Sequence, residues 1–207
     1  MKEEYLLKRP FDLLLSLTGI VASSPLWIII TLFIKLDDKG PVFYTQKRVG
    51  IYGNLFKTYK FRTMIPDSDQ IYGYKQAGEG DKRITRAGKY LRYTAMDELP
   101  QLLSIFAGDM SFVGPRALLP NEIEVNENTT ESVPIEQITG YKLRQSVRPG
   151  LTGIAQIYAP RDINRKNKFR YDKIYIKNQS FCLDIKLILI SFWITFRGTW
   201  ESRDKKF

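Results

Sequence analysis

An α+β fold, rich in helix and seated on a membrane by one broken apolar helix, is what this sequence predicts. Three observations carry that expectation. Residues Phe11–Ile34 are almost wholly apolar, with Ser24-Pro25 in mid-run. Two runs rich in aromatic and β-branched residues flank Gly50 and Gly53-Asn54, the pattern of a small β-hairpin. Later stretches set basic residues among aromatic and aliphatic ones, as amphipathic interfacial helices do.

The apolar run is too long for a signal peptide's apolar region. As a straight helix its residues would reach roughly 36 Å, enough for a hydrocarbon core of about 30 Å. Pro25 has no N–H to offer the carbonyl of Val21, so a kink is expected there. Ser23 and Ser24 are expected to bond back to Gly19 and Ile20, which makes a break tolerable in lipid. Lys8 and Arg9 flank one end and Lys35 and Lys39 the other, so charge gives neither end a reason to cross. A helix-break-helix that dips in and returns fits both features. A kinked spanning helix is the alternative.

Next comes the hairpin, with strands at Val42–Tyr44 and Leu55–Phe61. Lys60 and Arg62, two apart, are expected on one face, as solvated edge charges or as diphosphate contacts. Ile65–Gly80 reads as a polar, mobile loop, and Asp81–Arg92 as a basic helix carrying Arg86 and Lys89. Thr94–Gly108 reads as one helix. Leu99, Leu102, Leu103 and Phe106 form its apolar stripe, Pro100 falls in its first turn and Gly108 stops it. Asp97 then falls at the N-cap or just inside it, with Glu98 beside it. The two acids serve there as a cap and a solvated first-turn acid, or as the carboxylates of a phosphoryl-transfer site. Gly114-Pro115-Arg116 follows and can return a guanidinium towards them.

Leu119–Gly140 is acidic and is read as a helix start followed by a loop. Arg148-Pro149-Gly150-Leu151-Thr152-Gly153 is a tight turn able to present backbone N–H groups to an anion. Arg161–Lys177 interleaves basic residues with Phe169, Tyr171 and Tyr175, a pattern shared by RNA-binding surfaces and by helices in the headgroup layer. Ile185–Phe196 is apolar but too short to span, and suits an interfacial or packed helix.

Composition excludes whole classes of chemistry. There is no histidine, so no Ser-His-Asp triad, Cys-His pair or histidine-held metal. The one cysteine, Cys182, forms no disulfide within the chain and is expected to be a small buried apolar residue. The formal charge of +10 fits nucleic acid, anionic lipid or phosphate-rich substrates.

In order, Lys8-Arg9-Pro10-Phe11-Asp12, Ser24-Pro25, Gly40-Pro41-Val42-Phe43, Lys60-Phe61-Arg62-Thr63-Met64, Asp97-Glu98-Leu99-Pro100-Gln101, Gly108-Asp109-Met110-Ser111, Val113-Gly114-Pro115-Arg116 and Arg148-Pro149-Gly150-Leu151-Thr152-Gly153 occur along the chain. From about Lys8 to Leu189 it closely resembles the small monotopic phosphoglycosyl transferases, the bacterial sugar-transferase family that starts glycan assembly on a polyprenol carrier. The resemblance implies a single domain over 1–207. Within it, 8–36 would be a re-entrant membrane helix broken at Ser24-Pro25, and 37–207 a cytoplasmic catalytic part. It implies the form without the long membrane region that precedes this domain in larger relatives.

The resemblance also implies a reaction at the cytoplasmic face of the bacterial inner membrane. A sugar-1-phosphate passes from a UDP-sugar to undecaprenyl phosphate with release of UMP, using Mg²⁺. Asp97 would be the nucleophile beside the magnesium ion, and Glu98 its catalytic partner. Arg116 would hold phosphate, with Lys60 in the phosphate-binding shell; Arg62, Arg86 and Arg148 complete the candidate phosphate contacts. An anionic membrane surface and downstream glycosyltransferases are the expected partners, and nucleic acid is not. The sequence departs from the family pattern at Ala117, where a second Pro is frequent, and at Gln145, where His is. The rival readings are a decayed membrane scaffold of the same fold and a basic nucleic-acid-binding module. Separating galactose, glucose, N-acetylhexosamines and diacetamido sugars requires assay.

Overall fold

Pro25 leaves the carbonyl of Val21 without its usual main-chain donor, and the neighbouring side chain supplies one. In the computed structural model, which describes residues 4–72, 80–125, 132–160 and 163–197, Ser24 Oγ donates to the Val21 carbonyl at 2.9 Å. Ser23 Oγ donates to Gly19 at 2.6 Å and accepts from Trp27 Nε1 at 2.9 Å. Ser23 thus bonds where its sequence position predicts, whereas Ser24 serves Val21 rather than Ile20. With that repair the apolar run forms one helix, α1 (Lys8–Asp37), with Pro25 inside it. The predicted separation into two arms is not seen as two helices.

α1 is tied to the rest of the chain at both ends. Near its start, Lys8 is buried and donates to the Val113 carbonyl at 2.9 Å while pairing with Asp184 at 2.5 Å. Asp12 accepts from Ser111 Oγ and Phe112 N, both at 3.1 Å, and Arg9 caps the carbonyls of Ile105 and Phe106 at 2.6 and 2.7 Å. At its far end, Ile30 and Ile34 pack with Phe61, Ala87 and Leu91, and Asp37 accepts from Ala87 N at 2.9 Å. Between these anchors Leu14, Val21, Ile28, Ile29 and Leu36 are exposed. Lys8 and Arg9 are therefore spent on packing and capping, not presented as flanking charges.

The hairpin forms as predicted, with a longer first arm. β1 (Phe43–Val49) pairs antiparallel with β2 (Leu55–Phe61) through a turn at Ile51–Gly53. The register sets Tyr44 opposite Lys60, Gln46 opposite Thr58 and Arg48 opposite Phe56, so these six share one face. Phe43, Phe61 and Trp27 cluster on the other. The polar segment that follows contains a short helix, α2 (Ser68–Tyr72), rather than loop alone; residues 73–79 of the predicted loop lie outside the described residues. α3 (Arg86–Tyr93) is capped by Thr85, whose side chain accepts from Gly88 N.

Thr94–Gly108 is not one helix. Ala95 has φ 53°, Met96–Glu98 form a single 3₁₀ turn, and α4 (Gln101–Ala107) begins only after Pro100. Gly108, at φ 99°, ends it as expected. The buried side of α4 is Gln101, Leu102, Ser104 and Ile105; Leu103 and Phe106, on the predicted apolar stripe, are about two-fifths exposed. Only Leu102 is common to the predicted stripe and the buried side of α4.

β3 (Ser111–Val113) runs parallel to β6 (Gly150–Thr152). The acidic stretch is not a helix start. It forms a second hairpin of β4 (Ile123–Val125) and β5 (Ser132–Pro134), as β-branched Ile123, Val125 and Val133 favour. Glu122 pairs with Arg165 and Glu124 accepts from its N–H. Residues 126–131 of the acidic stretch lie outside the described residues. α5 (Tyr141–Arg144) and α6 (Ile154–Tyr158) bracket the Pro-Gly turn. α7 (Arg165–Asn178) buries Phe169 and Tyr175, so neither ring is offered to a nucleic acid base; Arg161 is outside the described residues. α8 (Phe181–Phe196) starts earlier than predicted because Ser180 caps it. Asp184 turns inward to Lys8, and Cys182, expected to be buried, is exposed. The main core joins Leu102, Ile105, Met110, Phe112, Val113, Tyr175, Leu187 and Ile194.

Candidate active site

The 3₁₀ turn Met96–Glu98 presents its two acids to the polar face of the first hairpin. Lys60 Nζ hydrogen-bonds Glu98 Oε1 and stands 3.7 Å from Asp97 Oδ2. Asp97 is buried and the Glu98 side chain nearly so. The acids precede α4 instead of capping it, and α4 has only seven residues. Side-chain cations therefore carry the electrostatic work that the helix start was expected to share.

Opposite the turn lies Arg116. Main-chain pairing fixes its loop: Gly114 N donates to Thr152 O and Gly150 N to Pro115 O, both at 2.9 Å, and Val49 N donates to Leu118 O at 2.9 Å. The backbones come so close that a Cβ on Gly150 would stand 2.0 Å from Gly114 N. Arg116, exposed, lines one cleft with Arg48, Thr58, Lys60, Glu98, Gln101 and Gly150. Three cations thus share the cleft with Glu98, and one of them, Lys60, also reaches Asp97. Burial pushes the Glu98 carboxyl up, but Lys60, Arg116 and Arg48 outweigh it and hold the group below the usual carboxylate range. Glu98 is ionised at neutral pH, and the cleft keeps positive charge for an anionic ligand.

Lys60 joins Asp97 to Glu98, and Arg116 shares the cleft of Lys60 and Glu98. Arg62, Arg86 and Arg148 do not join them. β2 ends at Phe61, and Arg62 turns away to clamp Asp38 and the Pro41 carbonyl at the end of α1. Arg148 pairs with Glu4 and donates to the Gly108 carbonyl at 2.9 Å. Arg86 is exposed at the start of α3. Arg48, Thr58 and Gln101 are the residues that sequence reading missed. Strand alternation, counted back from the turn, sets Arg48 on the face of Lys60, and that signal was available for Arg48.

Among the described residues no three His, Cys, Asp or Glu side chains gather as a metal cage. Asp97 and Glu98 do supply the hard oxygen donors that suit Mg²⁺, which is commonly held by one or two carboxylates with substrate phosphate and water completing the shell. The donor set fits an ion that arrives with a diphosphate.

A family model described as bacterial sugar transferase matches residues 3–198. The exopolysaccharide production protein ExoY of Sinorhizobium fredii is 34% identical over 195 residues, covering 87% of this chain and 81% of that protein. The UDP-N-acetylgalactosamine-undecaprenyl-phosphate N-acetylgalactosaminephosphotransferase of Aeromonas hydrophila is 38% identical, covering 88% of this chain and 42% of its own length. The UDP-glucose:undecaprenyl-phosphate glucose-1-phosphate transferase of Escherichia coli is 38% identical, covering 93% of this chain and 40% of its own. The chain therefore spans about two-fifths of the length of these two transferases and about four-fifths of ExoY.

Proposed function

This chain belongs to the bacterial sugar transferase family, and from that premise we propose that it transfers a sugar-1-phosphate from a UDP-sugar to undecaprenyl phosphate. The observation that carries the proposal is that Lys60 bridges Asp97 and Glu98 at a cleft where Arg116 and Arg48 stand with Lys60 and Glu98. A carboxylate that attacks a diphosphate meets like charge, and these cations offset it.

The reaction runs in two displacements. An Asp97 carboxylate oxygen bonds to the phosphorus that carries the sugar, and the bond from that phosphorus to the bridging oxygen breaks, its electron pair leaving with UMP. A phosphate oxygen of undecaprenyl phosphate then attacks the same phosphorus and releases the carboxylate. The product is a polyprenol diphosphosugar, the form on which downstream glycosyltransferases would build. The cleft then never holds both polyanionic substrates at once. Lys60 and Arg116 bind and orient phosphate oxygens, and Glu98 fixes the ammonium of Lys60. Mg²⁺, held by Asp97 and, where needed, Glu98, would neutralise diphosphate charge when bound.

We place the protein on the cytoplasmic face of the bacterial inner membrane, entered from one side only. Thirty helical residues measure about 45 Å, yet both ends of α1 are bonded to the same globular body. A helix crossing the bilayer would carry one of those ends away. The outward apolar side chains of α1, with Leu103, Phe106, Leu189, Phe192 and Trp193 also exposed, supply the surface that lipid would cover. The basic, aromatic face of α3 suits anionic headgroups.

The test uses purified protein and labelled UDP-sugars. With undecaprenyl phosphate present, UMP is released; a panel of UDP-sugars identifies the sugar. Without acceptor, the label becomes covalently attached at Asp97 and is absent from Asp97→Asn. Label retained in that variant would refute the assignment.

A further inference from the structure

Two consecutive carbonyls in the Arg116 loop are each gripped by a guanidinium from elsewhere in the chain. Arg48 Nη1 donates to the Ala117 carbonyl at 3.1 Å, and Arg144 Nη2 donates to the Arg116 carbonyl at 2.6 Å. Arg48 lines the cleft of the carboxylates and so faces substrate as well. Arg144 is not among the residues lining that cleft. It is buried and lines a second one, with Arg116, Gln145 and Pro115.

Arg144 is held in three ways. Its Nε donates to Asp172 Oδ2 at 2.6 Å, its guanidinium lies 4.4 Å over the ring of Phe169, and its remaining fork takes the Arg116 carbonyl. Asp172 is itself only 3% exposed. Such a pair is a poor source of net stability, since apolar residues of equal volume frequently do as well. A planar fork that joins a buried carboxylate to one main-chain oxygen is a strong source of geometry. The loop needs one: Ala117 brings no ring-locked φ of its own, and Arg116 must project across open cleft to reach phosphate.

We propose that Arg144, oriented by Asp172, is a positioning residue that fixes the main chain from which Arg116 projects, and acts on the reaction only through Arg116. The inference rests on the transferase reading above.

The experiment is a double-mutant cycle on UMP release by the purified full chain, with thermal unfolding measured on each variant. Arg144→Lys keeps the charge but loses the fork. Asp172→Asn keeps the shape but weakens the grip. Each is expected to lower kcat by about 10- to 100-fold, as a displacement of about 1 Å does, with cooperative unfolding retained. In an Arg116→Ala background the same changes should cost less than about twofold more, because their effect runs through the missing side chain. If either substitution lowers the Arg116→Ala rate by the factor seen in the wild type, or if Asp172→Asn works at the wild-type rate, the positioning role is overturned. Should Arg144→Lys lose cooperative unfolding, the Asp172→Asn cycle decides. A wild-type rate in Arg116→Ala is a different result: it removes Arg116 from the reaction, and the positioning role with it.

Discussion

Lys60 stands 3.7 Å from Asp97 while bonded to Glu98. One ammonium therefore lowers the cost of charge on both neighbouring carboxylates, and it is committed to only one of them. Glu98 holds the cation by a direct hydrogen bond, and Asp97 meets it at ion-pair distance. Adjacent residues in sequence thus stand differently towards one cation, because one strand residue reaches them unequally.

Replacing Lys60 by Met should lower kcat/KM by about 10²–10³-fold, the usual loss when a preorganised charge partner is removed; Lys60→Arg should recover part of it. The pH profile gives an independent reading. In the wild type the cations hold Glu98 below its ordinary value against the push of burial. Removing Lys60 raises the Glu98 pKa, so the acid limb of the rate profile moves to higher pH. Stability follows the same sign. A carboxyl whose folded pKa is depressed contributes stability above its unfolded pKa of about 4.3 and loses it as pH falls through the folded value. Acid unfolding of Lys60→Met should show less of that term, and a limb that stays in place would argue against the pairing.

Ser24 and Pro25 make a second coupled pair. Ser24→Ala leaves the Val21 carbonyl with neither a main-chain nor a side-chain donor, at a cost of about 1–3 kcal/mol where water is excluded. Pro25→Ala returns the main-chain N–H, and in that background Ser24→Ala should be close to neutral. Thermal unfolding in lipid nanodiscs reads both numbers. Equal costs in the two backgrounds would mean that Ser24 does not compensate for the proline.

The one-sided membrane arrangement predicts a labelling pattern. In a Cys182→Ser background, single cysteines at Leu6 and Lys39, both exposed, should react with an impermeant maleimide from the same side of sealed vesicles. Reaction from opposite sides would make α1 a spanning helix, and the packing of both its ends against one body would then have to be abandoned.

Much of the architecture was legible because it is local. Phe11–Ile34 has a composition that only lipid or a core accepts, and the hairpin has its turn residues in place. Gly108 ends a helix because its backbone adopts φ 99°. Other readings failed where distant contacts outweighed local pattern. Leu103 and Phe106 fall on an apolar stripe, yet α4 buries Gln101, Leu102, Ser104 and Ile105 and leaves those two outside. Glu122 and Glu124 looked like a helix start, but Arg165, some forty residues away, draws them into a hairpin. Arg62 and Arg148 carry the charge a phosphate wants, and Asp38 and Glu4 already hold them.

By itself the order of residues determined which chemistry is open to this protein: with no histidine and a single cysteine, carboxylates, lysines, arginines and hydroxyl groups are left to do the work, and Asp97-Glu98 sets two acids together just before Pro100 and an apolar run. Only the tertiary structure decided which of many cations serve them. Charge acts through distance, and distance between Lys60, Arg48, Arg116 and the acids is set by strand register and loop closure, not by separation along the chain.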